Sequence, residues 1–485
     1  MLFTALALCA SAVAQEQTVR TRADRPDTVK VLVSGDLELD YVNRSREVTA
    51  WIRSEGNPTG NGAAATSDAE NTFEGFVAVR VDVELGVARF TLEFGTRRID
   101  DNEIVNFLGD TAQDVLLREL NLILPELFLP GMTVTLGIAD WSYDLRGRGQ
   151  ALVFAPRHSS TFTRNIDSLG NPTSEEIGDA RLVEAGFPDE LLPVGAVIVY
   201  RAGPWHVDLV IFPAVIEAGE PAQDESMYAA DVMFKLDEAG SRIGAILAVN
   251  AFESNTAGGD LDEETAVFTF GVGVDLRDVL LKGLELYGEI YLQRGNAGQV
   301  VVGVAEESIQ ANGRAAQVGF EYNHVVGNPM PVWFGANLTY YSGDGDDAAE
   351  GNDEVDRFAS YESVSDLIIL ENMYYGFDVD SNYRVIKLHA GARFSAVKEN
   401  DLKVDVLVGF ARQNEESNFG GSGEDALGNE VDLRAALDVS KQLVVHALFA
   451  ILAGSDLVEE SLRAGGSPDP DDSAWIWSMG MDVRF

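Results

Sequence analysis

The sequence predicts an all-β fold, a transmembrane antiparallel β-barrel of about 16–18 strands with long extracellular loops. Three observations carry this. The chain ends in a strand with two chemically distinct faces. Similar alternating segments of roughly 9 to 14 residues recur along the chain. The connections between them alternate between short and long, which is the asymmetry of outer-membrane barrels.

In the final strand, Trp475, Trp477, Met479, Met481, Val483 and Phe485 alternate with Ile476, Ser478, Gly480, Asp482 and Arg484. A period of two places each set on one face of a β-strand. The first face is apolar to its last residue, as contact with lipid requires. The second carries Asp and Arg, as a wet lumen allows.

From the N-terminus, residues 1–14 are apolar and end in Ala12-Val13-Ala14, the small-residue pattern of a cleaved secretory signal. Residues 15–28 form a polar segment, and the barrel is expected over 29–485. The clearest early strand is Phe73 to Leu85, where Phe73, Val77, Val79, Val81, Val83 and Leu85 oppose Glu74, Arg80, Asp82 and Glu84. A tight turn at Gly86 leads to Val87–Arg97, where Phe90, Leu92 and Phe94 oppose Arg89, Thr91, Glu93 and Arg97. Trp205, Val207, Leu209 and Ile211 oppose His206 and Asp208, and Phe268, Phe270, Val272 and Val274 oppose Thr269 and Asp275. Leu284, Leu286, Ile290 and Leu292 oppose Glu285, Tyr287, Glu289 and Tyr291. Further on, Lys387 and Arg393 share a polar face, and so do Asp432 and Arg434. Short connections are expected near Gly86, Gly203-Pro204, 238–240, 399–401 and Ser440-Lys441. Long ones are expected near 54–71, 144–192, 254–263, 343–381, 414–427 and 455–472.

Composition sets limits on partners. The 485 residues carry a formal net charge of -44, which argues against nucleic-acid binding. Mean hydropathy is -0.02, as when polar lumen residues dilute lipid-facing ones. The single cysteine, Cys9, falls in the expected signal, so thiol chemistry and disulfides are excluded from the mature chain. By alternation, roughly 16 acidic and 11 basic side chains face the lumen, leaving most of the acidity to loops. No G-x-S-x-G, H-E-x-x-H or P-loop pattern is present, and no enzymatic activity is expected.

Three constellations stand out. Arg146, Arg148, Arg157 and Arg164 form a basic island in a long connection of an acidic chain. Folded into a lumen, such guanidiniums would narrow it and contact anionic groups, so these four are the candidate selectivity residues. Arg80, Arg89, Arg97, Lys387, Arg393 and Arg434 are the candidate lumen-facing cations. Asp344, Asp346 and Asp347 lie in a glycine-containing acidic loop and are candidate Ca²⁺ ligands, a solvated loop being the simpler reading. No other cofactor is expected. Aromatic girdles are expected at Trp51, Trp141-Tyr143, Tyr340-Tyr341, Tyr374-Tyr375 and Trp475-Trp477. Trp333 and Tyr341 share the phase opposite to Phe334, where rings in a lumen could stack on sugars.

The terminal alternation ending in Phe485 resembles the C-terminal signature of bacterial outer-membrane barrels, which implies recognition by the barrel-assembly machinery. Leu116-Leu117-Arg118-Glu119-Leu120 followed by Pro130-Gly131-Met132-Thr133-Val134-Thr135-Leu136-Gly137, and then Trp141 to Arg146, resembles a block of alginate-export-type outer-membrane channels. Tyr340-Tyr341-Ser342-Gly343-Asp344 resembles a later loop of the same family. That resemblance implies an 18-stranded barrel around an arginine-lined conduit. The expected function is a porin-like channel in the bacterial outer membrane for passive diffusion of small hydrophilic or anionic solutes, saccharides included. The alternative is a non-transporting structural or surface-interaction barrel with cation-binding acidic loops. Expected partners are outer-membrane lipid, lipopolysaccharide and the solute.

Overall fold

The computed structural model describes residues 17–19, 29–45, 71–86, 88–95, 116–138, 141, 143, 145–146, 152, 191–217, 225–253, 264–302, 305–324, 330–343, 354–355, 358, 366–371, 379, 382–397, 400–414, 426–456, 458–459 and 472–485. The strands run β1 Gln17–Val19, β2 Val29–Arg44, β3 Asn71–Leu85, β4 Ala88–Gly95, β5 Leu116–Pro125, β6 Met132–Ile138 and β7 Leu191–Ala202. They continue with β8 Trp205–Glu217, β9 Glu225–Lys235, β10 Arg242–Glu253, β11 Glu264–Arg277, β12 Leu284–Val302, β13 Ala305–Ala311 and β14 Arg314–His324. The last are β15 Val332–Tyr341, β16 Glu354–Val355, β17 Tyr383–Val397, β18 Asn400–Gln413, β19 Ala426–Asp438, β20 Leu443–Ala453 and β21 Ala474–Arg484.

Eighteen of these strands form one closed antiparallel barrel. Each wall strand pairs with its chain neighbour, except that β12 passes over β13 to β14 and β15 passes over β16 to β17. β21 closes the wall by pairing with β2 from Asp36↔Arg484 to Arg44↔Ile476. Beyond Asp36, the Gly35 N–H donates to the Phe485 carbonyl at 2.9 Å and the Phe485 N–H returns the bond at 3.0 Å. Closure leaves no exposed wall edge, which a barrel in hydrocarbon requires.

The alternation read from the sequence fixes the two faces. Leu247, Phe268, Phe270, Ile290, Leu292, Phe334 and Phe410 all point outward and keep 41–50% of their surface exposed. Such a continuous exposed apolar belt is a lipid-facing surface. Facing inward are Asp208, Asp231, Glu285, Glu289, Lys387 and Asp432, each at most 7% exposed. Trp475, Met479 and Met481 lie outside, and Ile476 and Ser478 inside.

Turn chemistry sets the register at one rim. β3 and β4 are joined by Gly86 and Val87 with Leu85 opposite Ala88, and Gly86 sits at φ 60°. That is the backbone a two-residue primed turn needs at its first position, and it suits glycine. Three features depart from the sequence reading. The 95-to-116 interval between β4 and β5 is a further long connection. β12 outruns the wall and pairs with β13, which then pairs parallel with β16. Trp141 and Tyr143 are not girdle residues. They are 5% and 2% exposed, and the Tyr143 hydroxyl lies 2.6 Å from where a Cβ on inward-facing Gly244 would stand. β1, within the expected polar segment, pairs with the start of β2. Residues 1–14, Trp51 and Tyr374-Tyr375 lie outside the described residues.

The last side chain packs as well as pairs. The Phe485 ring lies 2.6 Å from an ideal Cβ on Gly35. Phe485→Ala should lower stability by about 1–2 kcal/mol, less than the roughly 3–5 kcal/mol of a fully buried Phe. Gly35→Val should cost more, because the Ala78 carbonyl oxygen, 2.5 Å from the same position, is backbone and cannot swing away. Urea midpoints in lipid vesicles rank the two, and an unchanged midpoint for Phe485→Ala would show that its ring does not pack at the closing seam.

Candidate functional site

The inner wall does not enclose an empty bore. Two long connections return into it, and wall carboxylates hold both. The first contributes Trp141, Tyr143, Leu145, Arg146 and Leu152. Leu145 fills space above inward-facing Gly244 and Gly273, reaching 2.7 Å and 2.5 Å from their ideal Cβ positions. Side chains larger than hydrogen at those two positions would exclude it. The Arg146 guanidinium then bridges two strands. Its Nε donates to Glu285 on β12 and its Nη2 to Glu321 on β14, both at 3.0 Å. Its Cζ stands 3.7 Å from the centroid of the Tyr287 ring. The wall also grips the segment's backbone, since Arg242 donates to the Leu145 carbonyl at 3.2 Å and Arg277 to the Arg146 carbonyl at 2.6 Å. Tyr341 on β15 donates its hydroxyl to the Leu152 carbonyl at 2.8 Å.

The second connection contributes residues 366–371. Leu367 seats over inward-facing Gly409, 2.6 Å from its ideal Cβ. Five consecutive backbone N–H groups find carboxylate acceptors here. Asp366 and Leu367 donate to Glu371 at 3.0 Å, and Ile368 donates to Asp432 at 3.3 Å. Ile369 and Leu370 donate to Glu430 at 2.6 and 2.9 Å. A run of successive N–H groups facing acidic acceptors resembles a backbone nest, and here the acceptors are carboxyl groups of the protein itself. Glu371 also accepts from Lys387 Nζ at 2.6 Å and from the Tyr383 hydroxyl at 2.9 Å. Lys387 reaches Asp366 at 3.1 Å as well. Phe358, from the same connection, packs against Tyr341, which stacks on Tyr383.

The candidate residues therefore fall into distinct places. Arg146 is inside, 5% exposed and committed to two carboxylates. Arg148, Arg157, Arg164, Arg97, Asp344, Asp346 and Asp347 lie outside the described residues. Arg80 faces inward against Asp82, Glu93 and Glu119, and Arg89 against Asp82. Arg393 lies 3.6 Å from Asp401, and Arg434 lies 3.3 Å from Asp432. Lys387 is fully buried. Trp333 faces inward and donates Nε1 to Asp405 at 2.7 Å. Among the described residues, no group of three or more His, Cys, Asp or Glu side chains could hold a metal ion.

The alternation had already put Glu285, Tyr287 and Asp432 on the polar face, but it could not pair them with a loop. Glu430 is in phase with Asp432 and Arg434, so the alternation also places it on the polar face, whereas Glu371 gives no sequence signal. Asp231, 2% exposed, faces Asp208 across the β8–β9 pair, and neither of its carboxylate oxygens has a partner among the described residues. An apolar groove of about 900 Å³ lined by Trp205, Phe234, Ile243, Val272, Ile290 and Leu338 lies on the outer face. It belongs to the lipid-facing surface, not to the lumen.

A closed antiparallel barrel with an apolar belt and a charged inner wall is a membrane-spanning barrel of the outer-membrane type. No family model and no curated protein matches the chain. Among solved structures, OpdQ of Pseudomonas aeruginosa is similar at 11% identity, covering 94% of this chain and 98% of that one, with a TM-score of 0.48. OpdK of the same organism, in a structure with vanillate, is 12% identical over 93% of this chain and 98% of that one, with a TM-score of 0.46. OmpT of Vibrio cholerae is 10% identical over 97% and 100%, with a TM-score of 0.38.

Removing one partner from a buried ion cluster strands the others, at about 3–5 kcal/mol. Arg146→Met should show a loss of that order, measured as the urea midpoint of the folded protein. Adding Glu285→Gln and Glu321→Gln should recover part of it. A single-variant loss below about 1 kcal/mol would show that Arg146 is not the staple of the first connection.

Proposed function

We propose that the chain is a passive, porin-like channel of the bacterial outer membrane for small hydrophilic solutes. The observation that carries this is the wetness of the inner wall. Arg80, Arg89, Arg393 and Arg434 face inward, yet their side chains keep 33%, 40%, 41% and 40% of their surface exposed. A packed protein core does not leave charged heads hydrated in this way. The two inward connections are the natural narrowing elements. Their rigid attachment suits a fixed constriction better than a plug that must be expelled.

The expected preference for anionic solutes rested on free guanidiniums. Arg146 is not free, and the described clusters hold more acid than base. Arg80 meets three carboxylates, Arg146 meets two, and Lys387 meets two. His446 stands 2.6 Å from Asp40 and 3.6 Å from Asp482. We therefore favour a lumen field that admits cations more readily than anions. The alginate-export resemblance gains no support from Arg146, whose charge is spent within the wall.

Purified, folded protein in planar bilayers should conduct, and its reversal potential in a potassium chloride gradient should move toward that of K⁺. A shift toward Cl⁻ would return the selectivity to the basic island, where charge reversal at Arg148 would then be the decisive variant. No conductance at all would overturn the channel reading.

A further inference from the structure

At the rim that carries the short turns, two of the connections do not look like ordinary turns. β5 joins β6 through Glu126-Leu127-Phe128-Leu129-Pro130-Gly131, and β11 joins β12 through Asp278-Val279-Leu280-Leu281-Lys282-Gly283. The two share one geometry. Each opens on an acidic residue in the left-handed region, Glu126 at φ 55° and Asp278 at φ 56°, and each closes on a glycine at φ 83° or 87°. The hydrogen bonds correspond. Glu126 N–H donates to the Met132 carbonyl and Asp278 N–H to that of Leu284, at 2.6 and 2.8 Å. Met132 N–H donates to the Leu129 carbonyl and Leu284 N–H to that of Leu281, at 3.1 and 2.9 Å. The closing glycine carbonyls each accept from the next strand, from Arg201 and Asn323, both at 2.9 Å.

This frame holds three successive apolar side chains away from the protein. Leu127, Phe128 and Leu129 are 43%, 73% and 55% exposed, and Val279, Leu280 and Leu281 are 53%, 77% and 53% exposed. A turn needs no such tip. On the same rim the β9–β10 turn presents Asp237 and Glu238, and the β19–β20 turn presents Ser440 and Lys441. Apolar triplets held in water would be costly, at about 25 cal/mol per Å².

We propose that these two turns are lipid feet, which seat their apolar triplets in the membrane leaflet nearest the short-turn rim. Continuity with the lipid-facing belt identifies the occupant. Outward-facing Leu284 leaves the second foot directly and pairs with Tyr322, whose ring lies 5.3 Å from outward-facing Phe334. Tyr322 is an amphipathic ring with its hydroxyl against His324 at 3.1 Å, the chemistry of a headgroup-level girdle. The foot is one turn beyond that level, and Lys282 within it can meet a lipid phosphate. The feet are six of the eighteen strands apart, so they grip one sector of the leaflet rather than the whole circumference.

The test uses the full chain with Cys9→Ser, which removes its single cysteine. An environment-sensitive fluorophore is attached at Phe128→Cys, at Leu280→Cys and, as a polar-turn control, at Glu238→Cys. The folded proteins are placed in phosphatidylcholine–phosphatidylglycerol vesicles. Both foot labels should emit at shorter wavelength than the control, and nitroxide-bearing lipid should quench them several-fold more than it quenches the control. Water-like emission at both feet, quenched by aqueous iodide instead, would overturn the proposal and leave the triplets to a protein partner. If one labelled variant fails to fold, the other foot gives the same reading.

Discussion

Closure of the sheet between β2 and β21 is the constraint on which everything else rests. Hydrocarbon offers no hydrogen bonds, so an open edge at membrane depth would leave a row of stranded N–H and C=O groups. The pairing from Asp36↔Arg484 to Arg44↔Ile476 removes that edge, and the Phe485–Gly35 bonds extend it to the last residue. Once the wall is closed, each strand has one face toward lipid and one toward the lumen, and the period of two assigns every side chain to a side.

Closure also creates an interior wide enough to need furnishing. The chain fills part of it with its own connections, and the chemistry of attachment is consistent at both. Small residues on the inner face make room, Gly244 and Gly273 for Leu145 and Gly409 for Leu367. Carboxyl groups then supply the directional bonds, Glu285 and Glu321 to a guanidinium, and Glu371, Glu430 and Asp432 to backbone N–H groups. Carboxylates in such a place are stable only when each is answered by donors. The lumen's acidity is therefore partly structural.

The fold was legible from local pattern because a barrel wall is a local pattern repeated. Phe268, Phe270 and Val272 face lipid and Glu285, Tyr287 and Glu289 the lumen, as their alternation alone requires. The interior was less legible, since it is built from contacts between distant residues. Arg146 stands out in the sequence as part of a basic island, but Glu285 and Glu321 lie 139 and 175 residues away, and nothing local marks them as its partners. Trp141 and Tyr143 read as girdle aromatics because their composition is the same whether a loop stays at the interface or turns inward. Glu371 sits in a connection without periodicity, so its role at a nest is visible only once the chain is folded. The two apolar turns are hidden in the sequence for a related reason. A triplet such as Leu127-Phe128-Leu129 blends into the strands on either side until the turn geometry sets it apart.

The central claim is that wall carboxylates fix the returning connections inside the barrel. Amide hydrogen exchange at Ile368, Ile369 and Leu370 in the folded protein tests it most directly. If Asp432 and Glu430 hold these N–H groups, they will be protected to a degree comparable with the amides of β18 and β19. Exchange at the rate of a free loop, with those strands still protected, would contradict it.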